Sequence, residues 1–362
     1  MTHPNPNARG KQVQTKLQKV VTAPPSNRHL SERILEFEIE ITGVLCCVVL
    51  AGYWAGSPLA KKCLFISYQM GPDAYSKGVD DAYFVGFWIV AFTFLRAAVM
   101  KYLFHPLAKT LGIEPFGKRQ RFAEQGFMFA YYAIYWNLGM YIMYQCPHWF
   151  DTSQFWIDYP HIIMKCSMKY YYLTQMAFWF QQLYCIQTEK RRKDHYAMFS
   201  HHIITITLLV SSYYTNFTRI GNAVLCSMDL TDLLLSLAKI LKYIGLSTLC
   251  DITFALFAIA WPITRHGFFT IIIWATAVEP SKYLDMQWEP ELGKYFTPLT
   301  QKMYLVLFLL LDVIMIYWFS MIVRVVIRVI QGKGAEDTRS DDEDDEEEIQ
   351  TVDKKKLNGK QE

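Results

Sequence analysis

Apolar residues along this chain gather into eight long runs, at about 37–55, 82–104, 123–145, 168–187, 196–217, 220–243, 249–277 and 299–330, with polar segments between them. About 20 predominantly apolar residues make a helix that crosses a bilayer. The pattern therefore predicts an all-α integral membrane protein with about eight transmembrane helices. Three runs carry marks of their own. Glu36, Glu38 and Glu40 crowd the start of the first. Pro262, followed by Arg265 and His266, predicts a kink or break in the seventh, because proline removes a backbone donor and clashes with the preceding turn. The eighth exceeds what a bilayer needs, which predicts a tilt or an extension past the membrane through Arg324 and Arg328.

The flanks are polar. Residues 1–33, with Pro4, Pro6, Pro24 and Pro25, are expected to form a disordered cytosolic arm. Residues 331–362 are expected to form a disordered tail whose acids concentrate between 336 and 348, with Ser340 directly before the densest run, a setting that suits acidophilic serine kinases. Between the flanks, charge alternates by side. Lys109, Lys118, Arg119 and Arg121 follow the second run, Lys190, Arg191, Arg192 and Lys193 the fourth, and Arg324, Arg328 and Lys333 end the eighth. The intervening loops carry Asp73, Asp80, Asp81, Asp151, Asp158, Glu279, Asp285, Glu289 and Glu291 instead. The positive-inside rule then places both termini in the cytosol.

Composition supports this reading. The chain has 362 residues, 52% of them hydrophobic and 16% aromatic. A soluble chain of this length would suggest two or so domains, but here the apolar residues lie in membrane-length runs. The eight cysteines form no CxxC pair, which predicts small packing residues rather than a disulfide framework or a zinc site. The first thirty residues contain no apolar core of the kind a cleavable signal peptide needs. The basic clusters are accounted for by loop topology, and no nucleic-acid partner is expected.

Against this background four ionisable residues stand out: His201 and His202 inside the fifth run, Asp229 and Asp232 inside the sixth. Ionisable groups at membrane depth are costly and mark functional sites. At 1.5 Å per residue, His201 lies roughly 9 Å in from the basic cluster before it and Asp232 roughly 10 Å in from Lys239, so the two sets share one level near the cytosolic leaflet. Asp229 and Asp232 are spaced i,i+3 and share a helix face that Ser236 continues, while His201 and His202 point about 100° apart. A His–Asp pair at this level would fix an imidazole tautomer and raise its basicity, as a general base or an acyl acceptor requires. The same residues could instead hold helices together. A metal is not expected, because adjacent histidines do not both reach one ion from a regular helix and no HxxxH or HxxHH box is present.

The stretch from Arg191 to Tyr243, containing FSHHIITITLL (199–209) and CSMDLTDLLLSLAKILKY (226–243), resembles the longevity-assurance motif of ceramide synthases, within the TLC-domain family. The corresponding positions are Arg192, Asp194, His201, His202, Thr205, Ser212, Tyr213, Arg219, Gly221, Asp229, Asp232, Lys239 and Tyr243. The resemblance implies a TLC catalytic domain over 117–330, with six helices around a central cavity, preceded by two further helices in 34–116. It implies an enzyme of the endoplasmic reticulum that joins a fatty acyl group from acyl-CoA to the 2-amino group of a sphingoid base. His201, His202, Asp229 and Asp232 are then the expected catalytic positions. The layout resembles the fungal members, which implies two possible partners, a paralogous synthase chain and a small single-pass subunit. Met228 stands before Asp229 where animal members often have histidine. No cofactor is expected beyond acyl-CoA as co-substrate. Arg191, Arg192 and Lys193 suit the phosphates of CoA, and Arg96, Asn137, Gln175, Gln181, Gln182 and Arg265 are further candidates to line the cavity or to bind lipid headgroups.

Two other readings compete. A fatty-acid elongase would need HxxHH, but Met198 occupies the position that box would require and His195 is out of step. A non-enzymatic TLC protein that senses lipid or assists a translocon would have no need of the His–His and Asp–Asp set.

Overall fold

The computed structural model describes residues 37–114, 116–188 and 193–331. The arm, the acidic tail with Ser340, and both Arg191 and Arg192 lie outside the described residues.

A helix falls on every apolar run. α1 (Glu38–Trp54) and the short α2 (Pro58–Leu64) lead into a small hairpin of β1 (Gln69–Gly71) and β2 (Ala74–Tyr75). α3 (Asp81–Val99) passes through a π-helical turn (Met100–Phe104) into α4 (His105–Thr110) as one rod. α5 (Phe116–Tyr144), α6 (Cys166–Thr188), α7 (His195–Tyr214) and α8 (Thr218–Ile244) follow. α9 (Ser247–Trp261), a π-helical segment (Pro262–Phe268) and α10 (Phe269–Val278) make another rod. A single turn, α11 (Pro280–Tyr283), precedes the long α12 (Pro298–Ile330). Three rods, Asp81–Thr110, Ser247–Val278 and Pro298–Ile330, are long and apolar enough to cross a membrane by length and composition, and the chain is a membrane protein. α6 and α8 have lower mean hydropathy because they turn polar side chains inward, among them Gln175, Gln181, Asn222 and Asp229, all buried.

Helix ends follow local chemistry. Thr297 caps α12 by accepting from Thr300 N at 3.2 Å, with Pro298 in the first turn, where its missing N–H costs nothing. α8 stops at Gly245, whose φ of 87° is the left-handed conformation that glycine adopts without strain. The predicted break in the seventh run is a π-helical segment that begins at Pro262, so the rod is re-aimed rather than interrupted.

Packing determines where space is left. α8 makes its most extensive contacts with α5 and α9, and α7 with α6 and α12. α7 and α8, though joined by a short turn, touch little. Tyr172 of α6 is wedged between them. Its hydroxyl bonds Ser212 Oγ on α7, and a Cβ added at Gly221 of α8 would overlap the same hydroxyl. The two helices therefore diverge, and a cavity opens between them.

One end of the bundle is closed by polar ties. Lys169 of α6 is fully buried, 2.8 Å from Asp81 Oδ1, and donates to Ser67 O and Ser76 O at 2.8 and 2.7 Å. Asp81 also accepts from Tyr213 Oη at 2.8 Å and from Gly78 N at 3.0 Å. Lys77 donates to the carbonyls of Tyr213 and Tyr214 and so caps the end of α7. The α1–α3 unit is thus clamped onto α6 and α7. The segment 145–165 completes the closure. Trp156 Nε1 and Thr152 Oγ1 donate to Glu279 at 2.9 and 2.8 Å, Tyr159 donates to Thr215 O at 2.9 Å, and Arg219 donates to Gln154 O at 2.6 Å. Asn216 is buried and donates to Gly293 O at 2.8 Å, so the Asn216–Phe217–Thr218 sequon is engaged in the fold. All eight cysteines are free, and three of them, Cys185, Cys226 and Cys250, are buried among other side chains.

Two outcomes follow from the closed end. Removing one member of a buried ion pair strands the other, at a cost of about 3–5 kcal/mol. Lys169→Met is expected to lower thermal stability in detergent strongly, and Asp81→Leu added to it is expected to recover part of the loss. Equal stability of Lys169→Met and wild type would refute the clamp. His148 and His161 are each pushed down to about 4 by burial, and His148 bonds Asn222 Oδ1 at 3.0 Å. Because the folded state holds them neutral while the unfolded chain takes up protons below about 6.5, their contribution is complete above that pH and is lost as pH falls toward 4. The melting temperature should therefore drop between pH 7 and pH 5, with a shallower slope in His148→Gln.

Candidate active site

The cavity between α7 and α8 opens at the end opposite the hairpin. Its wide part, about 300 Å³, takes side chains from each of the six long rods after α4: Tyr132 of α5, Gln182 of α6, His202 of α7, Lys239 of α8, Trp261 of the α9–α10 rod and Trp318 of α12. A narrower arm, about 60 Å³, continues toward the closed end. Leu208, Ile220, Val224, Phe308 and Leu311 line it, and Trp156, Phe217 and Phe296 stand at its far end. From His201 to Ser212 the arm follows α7 for roughly 16 Å at 1.5 Å per residue. Four side chains line both parts and form the waist: Trp179, His201, Asp232 and Arg265.

The four predicted residues divide. His201 is at the waist, its ring centroid 5.5 Å from that of Trp179 and 5.3 Å from that of Trp318, both edge-on. Its Nδ1 is enclosed without a hydrogen-bond partner, which leaves Nε2 as the nitrogen toward the cavity. His202 lines only the wide part. Its Nδ1 lies 2.8 Å from Met198 O and must donate there, since a carbonyl only accepts, so Nε2 of the neutral ring is an acceptor. Asp232 is at the waist with Oδ2 2.7 Å from an Arg265 amino group. Asp229 is buried behind the cavity wall and lines neither part. It accepts from Gln175 Nε2 at 3.0 Å, and Gln175 Oε1 accepts from Tyr131 Oη at 2.6 Å.

Neither carboxylate hydrogen-bonds His201, so the expected His–Asp pair is not formed. Two physical reasons account for this. α7 and α8 splay instead of packing face to face, and Arg265 offers Asp232 a charged partner, which a buried carboxylate requires. The i,i+3 spacing puts Asp229 and Asp232 about 60° apart on α8. That angle suffices to aim one into the cavity and the other toward α5 and α6.

Arg265 is the residue whose weight the sequence concealed. It is buried and fully engaged, donating from Nε to Thr231 Oγ1 at 2.6 Å and from Nη2 to Met228 O at 3.0 Å. Its one sequence signal was an arginine three residues after a proline within an apolar run. Trp179 and Trp318 gave no signal, because an aromatic residue on a helix looks the same whether it faces lipid or a cavity. Among the weaker candidates, Arg96 and Gln182 line the wide part, while Gln181 is buried against Cys185 Sγ at 3.0 Å. Asn137 is exposed and bonds Ala133 O at 2.7 Å, so it faces away from the cavity. Lys193 does not line the cavity, whereas Lys239 and Lys242 do. Among the described residues, no three His, Cys, Asp or Glu side chains come together as a metal-binding group.

The TLC domain profile matches residues 121–324. Sphingosine N-acyltransferase lag1 of Schizosaccharomyces pombe is 37% identical over 300 residues, covering 83% of this chain and 77% of the relative. Ceramide synthase LAG1 of Saccharomyces cerevisiae is 33% identical over 311 residues, covering 84% and 75%. Ceramide synthase LOH2 of Arabidopsis thaliana is 33% identical over 275 residues, covering 72% and 91%. The profile spans more than half of the chain and the relatives align along most of their own lengths, so the chain belongs to the TLC-domain family, among the sphingosine N-acyltransferases.

Proposed function

We propose that the protein is a ceramide synthase that moves a fatty acyl group from acyl-CoA to the 2-amino group of a sphingoid base, with His201 as the residue that meets the thioester. One observation carries the reading: His201 stands at the waist between a wide mouth that holds charged side chains and a narrow apolar arm. An acyl-CoA has the same three parts. Its phosphates suit the mouth, where Arg96, Lys239 and Lys242 lie. Its acyl chain suits the arm, and its thioester then falls at the waist. Arg191 and Arg192 are outside the described residues, and their contact with CoA stays part of this proposal together with that of Lys193. The names of the relatives, sphingosine N-acyltransferase and ceramide synthase, support the same chemistry.

The arrangement favours covalent transfer. No carboxylate holds the His201 ring, so it is suited to act through its Nε2 lone pair. An Nε2–carbon bond forms as the carbon–sulfur bond breaks, the ring keeps the proton on its enclosed Nδ1, and CoA leaves as the thiolate. The amine then forms the amide bond as the Nε2–carbon bond breaks, which restores the neutral ring, and the amine's proton goes to the thiolate of the released CoA. His202, with an acceptor nitrogen toward the mouth, orients the incoming groups, and Asp229 stabilises the wall through Gln175. The reaction needs no cofactor beyond acyl-CoA as co-substrate.

The membrane arrangement belongs to the same proposal. All eight rods cross the bilayer of the endoplasmic reticulum, the last six surround the cavity, the open end faces the cytosol, and both termini lie there. A paralogous synthase chain and a small single-pass subunit are proposed partners on the resemblance alone.

Two measurements test this reading. Wild type incubated with acyl-CoA and no amine should gain one acyl mass by intact-protein mass spectrometry. His201→Ala should lose both that adduct and amide formation, by at least ~10²–10⁴-fold. An unmodified wild type that still makes ceramide would establish direct transfer instead. The end of the arm sets the second test. Trp156→Ala should admit about two more methylenes at about 0.8 kcal/mol each, shifting kcat/KM roughly tenfold toward longer acyl-CoA, while Trp156→Phe should not. An unchanged chain-length profile in a folded Trp156→Ala protein would place the chain elsewhere.

A further inference from the structure

We infer that Arg265 is a positioning residue of acyl transfer: it holds the Asp232 carboxylate at the waist, away from His201 and available to the amine substrate. The inference rests on the acyltransferase reading above.

The guanidinium is determined from every side. Thr231 Oγ1, Met228 O and Asp232 Oδ2 accept from it at 2.6, 3.0 and 2.7 Å, and all three belong to one stretch of α8. Nη1 contacts Met315 Sδ of α12 at 3.1 Å, and Trp261 lies beneath the cation, 4.2 Å from Cζ to the ring centroid. A planar fork with this many fixed partners does not turn without breaking several contacts at once. Asp232 is therefore tied to the α8 side of the waist.

The π-helical segment makes this possible. Beginning at Pro262, it aims Arg265 inward at α8 while the next residue, His266, meets Asp312 of α12 at 3.3 Å. The kink is pinned on both sides, and π-helical turns of this kind recur at functional sites.

The consequence is chemical. In the second half of the reaction an amine must approach the acyl carbon beside His201. A carboxylate at that level accepts a charge-assisted hydrogen bond from the amine and orients its lone pair. A carboxylate free to swing would bond the imidazole instead and compete with acylation. Arg265 prevents this and touches no reacting atom itself.

A purely structural brace between α8 and α12 would use the same contacts, so the test separates the two half-reactions. Full-length wild type, Arg265→Lys, Arg265→Gln, Asp232→Asn and the Arg265→Gln/Asp232→Asn double variant are purified in detergent. Each is followed by acyl-adduct formation on His201, by kcat/KM for the sphingoid base, and by melting temperature. The expected result for Arg265→Gln and Asp232→Asn is adduct formation within about threefold of wild type, with kcat/KM for the amine lowered roughly 10–100-fold. The double variant should be no worse than the poorer single, because both act through one carboxylate. Arg265→Lys, which keeps the charge and loses the fork, should fall between, and it decides the matter if the glutamine variant does not fold. Losses that multiply in the double variant, a defect confined to the acyl-CoA step, or wild-type kinetics in either Arg265 variant would overturn the inference. A wild type that makes neither adduct nor amide would defeat the acyltransferase reading itself.

Discussion

An ionised group buried away from water must have a partner, and this requirement organises the molecule. Two such pairs tie the rods together, Lys169 with Asp81 at the closed end and Arg265 with Asp232 at the waist. Each joins elements far apart in sequence, so each fixes how rods pack as well as neutralising charge. Where no cation is at hand, Asp229 takes the amide of Gln175. In lipid, close van der Waals packing and interhelical polar contacts together select one arrangement of helices.

The cavity follows from how those contacts are distributed. Polar ties concentrate at the closed end, where the hairpin, the segment 145–165 and Glu279 are laced together. Tyr172 separates α7 from α8, and its fit against Gly221 leaves the two helices apart instead of touching. The bundle is tight at one end and open at the other. The space between the rods is therefore a result of specified contacts, and α6 and α8, which carry many buried polar side chains, form much of its wall.

Where the long helices lie was legible in the sequence, since one falls on each apolar run, although α5 begins at Phe116, ahead of its run, and three rods among the described residues are apolar enough to cross a membrane. The level of the site was legible too, since His201 and Asp232 do meet at one waist. Their pairing was not. Counting residues gives depth along a helix but not the angle between two helices, and that angle is set by Tyr172, which lies on a third. Arg265 was visible only as one polar residue among several, because whether a side chain after a kink points to lipid or to α8 depends on the π-helical turn. The cations at the mouth illustrate the same limit. Lys239 and Lys242 reach the mouth because α8 runs along it, a matter of helix rotation that loop charge does not encode.

The two carboxylates of α8 show why spacing within a motif carries more than a shared face. At i,i+3 they are close enough that one turn of helix delivers both to the same depth, yet rotated enough to have different neighbours. Asp232 projects into the cavity, where it meets Arg265; Asp229 projects into the packed wall, where it meets Gln175. Exchange of their environments would put a carboxylate without a cation at the waist and a guanidinium against the aromatic wall of α5, both costly in a medium of low dielectric. The motif's second aspartate therefore depends on a residue 33 positions further along, and the first on a residue 54 positions before it. The waist and its supports extend across α6, α7, α8 and the π-helical segment, with the longevity-assurance stretch as the part that is contiguous in sequence.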